Sequence, residues 1–203
     1  MLRVAFAALV AQRRRMLVVA PTRKAATVAS REVGAAASSI HALLADHGYR
    51  WGADQAGAKV WTRLCVGEID PSTGVAYGGP AQYMLRSRDR IVVDEAGMLD
   101  LHTSRALALT AEQTGAGIAM VGDPRQVRPV GHSGAMAIAT RIATGTAELE
   151  VVHRFRNADG TINEDYAALS LKLRDPRTEE VARQIAHQLV DDGHVTSAPN
   201  LQG

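Results

Sequence analysis

Apolar positions at the start of the chain follow a helical period and then give way to an unbroken run. Leu2, Phe6, Leu9 and Val10 fall at i, i+4, i+7 and i+8, which predicts a helix over residues 1–15 with one buried stripe. Met16–Ala20 is wholly apolar and is closed by Pro21, the pattern of a strand covered on both faces in a parallel sheet. Thr22 opens a second helix carrying Lys24, Val28 and Arg31. Ser38 or Ser39 caps a third, with Ile40, Leu43 and Leu44 turned inward.

Regularity drops over residues 48–90. Val60, Leu64 and Val66 precede Asp70-Pro71-Ser72-Thr73-Gly74, a strong turn sequence, and residues 75–77 are expected to pair back as a hairpin. Residues 91–93 predict a second buried strand, 101–113 a helix, 117–121 a third strand, 131–144 a helix and 149–152 a fourth strand. A turn at 157–160 and helices over 163–173 and 178–191 complete the pattern. Strands alternating with helices imply an α/β fold built on a doubly wound parallel sheet.

Composition narrows this picture only modestly. A net charge of +2 does not by itself argue for nucleic acid, but Arg13, Arg14, Arg15, Arg23, Lys24 and Arg31 crowd the first stretch. Cys65 is the single cysteine, so no internal disulfide can form, which suits a reducing cytoplasm. The seven histidines lack ligand spacing, so no structural zinc is expected, and no apolar run is long enough for a membrane span. Residues 4–11 resemble a short signal-peptide core. Three arginines follow them, however, and Leu9 occupies a position where cleavage needs a small residue, so the amphipathic helix is preferred. Trp51, Trp61 and Tyr77 are candidate base-stacking groups, but packing within a core or hairpin is the expectation.

The chemistry concentrates at two strand ends. In Arg90-Ile91-Val92-Val93-Asp94-Glu95-Ala96-Gly97-Met98 an apolar strand runs into adjacent carboxylates, at the sheet edge where open α/β folds bind ligands. A nucleoside triphosphatase uses such a pair in two ways. Asp94 would hold Mg²⁺ through its water shell, and Glu95 would orient and deprotonate the attacking water. The plainer alternative is a solvated strand end with a capping carboxylate. Ala119-Met120-Val121-Gly122-Asp123-Pro124-Arg125-Gln126 repeats the design, and its distance from Asp94 leaves room for one helical crossover between neighbouring strands. Gln126 would then reach the same edge and sense the γ-phosphate or the water.

These two segments resemble motifs II and III of superfamily 1 DNA helicases, and the Ala-Gly-Met ending is similar to the RecD-like and TraA-type relaxase–helicases of conjugative transfer. Val18-Val19-Ala20-Pro21-Thr22-Arg23-Lys24-Ala25-Ala26 resembles motif Ia, Ser38-Ser39-Ile40-His41-Ala42-Leu43-Leu44 the Thr-Ile-His segment that follows it, and Val152-His153-Arg154-Phe155 motif IV. The resemblance implies a RecA-like, three-layer P-loop NTPase fold, with ATP and Mg²⁺ as cofactors and single-stranded DNA as partner. It places Asp94, Glu95, Gly122, Asp123 and Gln126 on the nucleotide. Arg154 becomes the arginine that reaches the γ-phosphate. Pro21, Thr22, Arg23, Lys24, Ser39 and His41 lie against the DNA backbone. For Thr22 and Ser39 the physics agrees, because hydroxyls and free N–H groups near helix starts favour phosphate oxygens. Outside the resemblance, Pro21-Thr22 is an ordinary helix start, His41 a packed or surface histidine, and Arg23 and Lys24 a solvated face.

One required part is missing. No Gly-Lys pair occurs in the chain, so there is no Gly-x-x-x-x-Gly-Lys-Ser/Thr loop to cradle phosphates. Losing about four hydrogen bonds to charged oxygens forfeits roughly 6–12 kcal/mol, against about 8 kcal/mol for micromolar binding. ATP and Mg²⁺ are therefore expected to bind weakly or not at all to the chain alone. Residues 1–15 look like the helix that follows such a loop, and the preceding strand, an inner one in RecA-like sheets, is expected to be missing. Residues 1–150 would then form part of a first motor domain, and 151–203 the start of a second or a helical extension. The expectation is a fragment of a cytoplasmic DNA helicase motor, inactive alone and completed by an upstream motor or relaxase segment. The alternatives are a non-catalytic remnant that keeps a DNA- or partner-binding surface, and an unrelated phosphate-loop ATPase, against which motif III and the Ser-Ile-His segment argue.

Overall fold

The structure, a computed structural model, describes residues 2–53, 59–123, 134–148, 159–174 and 178–195. The chain divides into two compact units, residues 1–144 and 145–203.

In the first unit four strands form one parallel sheet in the order β2-β1-β5-β6, with β1 at Met16–Ala20, β2 at Ala36–Ser39, β5 at Arg90–Val93 and β6 at Gly117–Met120. β3 (Tyr49–Ala53) and β4 (Lys59–Arg63) form a separate antiparallel pair. Every residue of β1 is buried because alternate side chains enter different layers. Met16 and Val18 join Val92, Ala29 and Val33, and the partly buried Leu2, Phe6 and Leu9 pack onto that cluster. These come from α1 (Leu2–Ala11) and α2 (Arg23–Val33). Leu17 and Val19 face the opposite way, into a cluster with Ile40, Leu43, Leu44, Ile91, Val93 and Leu107. The helices on that side are α3 (Ile40–Asp46) and α4 (Leu101–Thr114). A sheet between two helical layers results. Each fully buried Leu, Ile or Val contributes roughly 1.5–3 kcal/mol relative to exposure.

Local signals set the helix boundaries. The hydroxyls of Thr22 and Ser39 accept from Ala25 N and Ala42 N, each at 3.2 Å, and Asp100 Oδ1 accepts from Thr103 N at 2.9 Å. The expected hairpin after the Asp70 turn is present as a short closure, with Ile69 bridged to Ala76. Asp70 anchors it by accepting from Ser72 N and Ser72 Oγ and by pairing with Arg50 Nε at 2.7 Å. Farther along, Asp46 receives the backbone N–H groups of Ala81, Gln82 and Tyr83, which ties the return segment to the end of α3. Burial works to raise the Asp46 pKa, but these three N–H donors outweigh it and hold the carboxyl below its ordinary value. Arg15 pairs with Asp89 just ahead of β5.

Several expectations need correction. The first helix stops at Ala11, and Val10 is 53% exposed because that flank of α1 has no neighbouring layer. β2 and the β3–β4 hairpin were not anticipated as strands. Apart from these corrections, the four described strands pair continuously, with β1 directly beside β5. The strand expected at 149–152 lies outside the described residues.

After the first-unit helix α5 (Ala135–Ile142), the second unit contains α6 (Glu164–Arg174) and α7 (Glu179–Asp191). Ala167, Leu169 and Ile185 are buried, and Thr178 caps α7 by accepting from Val181 N. Arg183 pairs with Glu179 and Glu180 on the exposed face of α7, contacts that contribute little in water.

Candidate functional site

Because all four strands of the main sheet are parallel, their carboxyl ends share one rim. Read along the strand order, the rim presents Ser39 as the last residue of β2, Pro21 and Thr22 after β1, Asp94 and Glu95 after β5, and Gly122 and Asp123 after β6. Strands lie about 4.8 Å apart, so the row from Ser39 to Gly122 is roughly 14 Å long. Residues expected at DNA occupy one half of the rim, and those expected at nucleotide occupy the other.

The half expected at nucleotide is built by close backbone approach. Val93 is in register with Met120, and the strands stay joined past their ends as Val121 N donates to Val93 O at 2.8 Å and Ala96 N donates to Val121 O at 2.9 Å. Gly97 and Gly122 make this possible. A β-carbon on Gly122 would lie 2.8 Å from Ala96 N, and one on Gly97 would overlap the carbonyl of Asp123. Asp94 N donates to Val19 O at 2.8 Å, which fixes the end of β5 to β1. Glu95 takes a left-handed backbone, φ 54°, to turn the chain into the 3-10 turn Ala96–Met98. That conformation is uncommon for a residue with a β-carbon and is found at sites where backbone direction matters more than comfort. Asp94 is half-buried and Glu95 exposed. Gln126 and Arg154 lie outside the described residues.

On the other half, the hydroxyl oxygens of Thr22 and Ser39 cap their helices by accepting from Ala25 N and Ala42 N. Thr22, Arg23, Lys24 and His41 are exposed, and Pro21 and Ser39 half-buried. An open groove of about 510 Å³ runs beside β2, lined by Arg23, Thr27, Arg31, Ser39 and Tyr83 among others. Thr27, Arg31 and Tyr83 were not among the expected site residues. Arg23, Thr27 and Arg31 stand at i, i+4 and i+8, one face of α2, and that spacing was readable.

The cofactors can be tested against these residues. Two carboxylates at a strand end suit Mg²⁺, which keeps most of its water and needs only one or two protein ligands. No group of three or more His, Cys, Asp or Glu side chains that could hold a metal occurs among the described residues, so a fully protein-caged ion has no support. The triphosphate itself is not fitted by this chain, because no segment supplies the Gly-Lys loop. No helix among the described residues is long and apolar enough to cross a membrane.

Over 69 residues the chain is 48% identical to the probable conjugal transfer protein TraA of Sinorhizobium fredii, and over 74 residues 40% identical to the conjugal transfer protein TraA of Rhizobium radiobacter. These matches cover 32% and 36% of the chain and only 6% of each relative, so the chain spans a small part of their length. A solved Bacteroides Pif1 bound to ssDNA is similar in backbone over 99% of the chain and 45% of its own, with 14% identity and a TM-score of 0.49. The profile of the AAA domain family matches residues 1–199. With a parallel α/β sheet and paired acidic strand ends inside that match, the chain belongs to the AAA domain family.

Proposed function

We propose that the chain is part of the motor of a superfamily 1 DNA helicase of the TraA conjugative type, in which one sheet rim serves two ligands. The carrying observation is the joining of β5 and β6 beyond their last ladder pairs, which brings Asp94, Glu95, Gly122 and Asp123 to one edge while Thr22 and Ser39 occupy the neighbouring strand ends. In this reading Asp94 holds Mg²⁺ and Glu95 positions water on the nucleotide half. Thr22, Arg23, Lys24, Ser39 and His41 hold the phosphodiester backbone of single-stranded DNA, and Pro21 sets the chain direction into α2. Gln126 would sense the nucleotide, and Arg154 would offset charge on its γ-phosphate. A cytoplasmic site of action follows, since both ATP and DNA are found there.

The motor needs a phosphate loop that these residues do not contain, supplied by a longer polypeptide in which an upstream motor or relaxase segment precedes α1. The test is DNA-stimulated ATP hydrolysis by this chain beside a longer version with a phosphate loop ahead of α1. Hydrolysis by the longer version alone supports the proposal. If both bind single-stranded DNA and neither hydrolyses ATP, the chain is a DNA-binding remnant. If neither binds DNA, the motor reading fails.

A further inference from the structure

The separate hairpin carries aromatic rings that continue a row from His41 on α3. Trp51 and Trp61 are cross-strand partners and share one face with the pair Tyr49 and Arg63. Trp61 sits at the centre. Its ring centroid is 5.2 Å from His41, 5.0 Å from Trp51 and 6.4 Å from Tyr49. Its indole N–H donates to Thr103 Oγ1 at 3.0 Å, and that hydroxyl donates to Asp100 Oδ2 at 2.7 Å, so the central ring is fixed to the start of α4. Tyr49 is buried, and Trp61 packs against the core. The two ends of the row differ. His41 is exposed, and Trp51 is 43% exposed although its neighbour is anchored.

We infer that the row His41–Trp61–Trp51 is a base-stacking platform for single-stranded DNA, with the exposed ring of Trp51 as its principal contact. This rests on the DNA reading of the rim. Packing explains Trp61 and Tyr49 but does not require a large aromatic ring left substantially in water at position 51. A stacked nucleobase covers such a ring without needing a particular sequence. Charge complementarity favours nucleic acid over an apolar protein partner. The row carries no acidic residue, Arg63 is exposed on the same face with its guanidinium carbon 5.4 Å from the Tyr49 ring centroid, and His41 stands two residues from Ser39 at the phosphate-binding end of the rim. Backbone phosphates would follow Thr22, Ser39 and the basic face of α2 while a base turns toward Trp51.

The experiment uses this chain, a fluorescein-labelled oligo-dT and anisotropy titration at low salt, with Trp51→Ala, Trp51→Phe and an oligonucleotide carrying abasic positions. Stacking on one ring predicts that Trp51→Ala weakens binding at least about 5-fold and that Trp51→Phe recovers most of it. On the abasic strand the wild type weakens and Trp51→Ala causes no further loss, a pattern that general destabilisation would not produce. Thermal melting confirms that the variants are folded. If the wild type binds oligo-dT with the usual salt dependence and Trp51→Ala binds equally well, the platform is overturned and the rim reading stands. If no form binds single-stranded DNA even at low salt, both fall.

Discussion

Gly97 lies against the carbonyl of Asp123 so closely that a β-carbon at position 97 would overlap the oxygen. Through this contact the loop after β5 and the loop after β6 behave as one structural piece. Gly97→Ala must push two backbones apart and should destabilise the fold by about 1–3 kcal/mol. Gly117→Ala is the matched control, since its added carbon meets only the flexible end of Arg90 and should change stability by less than about 0.5 kcal/mol. Urea denaturation of both variants measures the contrast. Equal costs would mean that the two loops are not locked together.

Glu95 bears backbone strain that a purely structural residue would not need. Glycine removes the left-handed penalty, so Glu95→Gly should be no less stable than wild type, with a gain of up to about 1 kcal/mol. Glu95→Val places a β-branched side chain at φ 54° and should lose roughly 1–2 kcal/mol. Denaturation midpoints with unchanged slope would show this order. The opposite order would remove the argument that position 95 trades stability for the placement of its carboxylate.

Thr22 and Ser39 serve the fold and, as proposed, the DNA. Loss of either hydroxyl removes a helix cap, so Thr22→Ala and Ser39→Ala should each cost about 1 kcal/mol, while Thr22→Ser should be nearly neutral. Single-stranded DNA affinity should fall in both alanine variants and persist in Thr22→Ser. Full affinity in a folded Thr22→Ala variant would assign that hydroxyl to capping alone.

Asp70 links stability to acid. Ser72 hydrogen bonds through its hydroxyl and amide, together with the Arg50 guanidinium, lower its pKa from 3.8 to about 2. A carboxyl with a depressed folded-state pKa stabilises the protein fully above the unfolded value, and that contribution disappears as pH falls through the folded value. Asp70→Asn should therefore be less stable than wild type at neutral pH, and the difference should shrink between about pH 4 and pH 2. A gap that stays constant over that window would show that Asp70 is not held ionised by these donors.

The parts of the fold written in local or strongly apolar signals were legible from the chain. Met16–Ala20 reads as a doubly covered strand because all five residues are apolar and all five are buried. Thr22 reads as a cap because a hydroxyl before a helical stripe has few other uses. β2 escaped notice because Ala36-Ala37-Ser38-Ser39 has no β-branched or aromatic residue, and its strand character comes from pairing with β1. The hairpin escaped for another reason. Tyr49 and Trp51 at period two, answered by Trp61 and Arg63, gave a signal, but the strands are short and the register depends on contacts with α3 and α4. Trp51 packs within the hairpin as expected, against its cross-strand partner Trp61, while leaving 43% of its surface exposed. For the site, the sequence placed two acidic strand ends within one crossover. It did not reveal the tight approach of Gly97 to Asp123, which exists only after β5 and β6 pair.

The most direct measurement is single-strand-stimulated ATP hydrolysis by the longer version with a phosphate loop, comparing wild type with Glu95→Gln. A carboxylate that positions and deprotonates water predicts a fall of roughly 10²-fold or more while affinity for single-stranded DNA stays the same. Hydrolysis by Glu95→Gln at the wild-type rate would contradict a catalytic rim at the ends of β5 and β6.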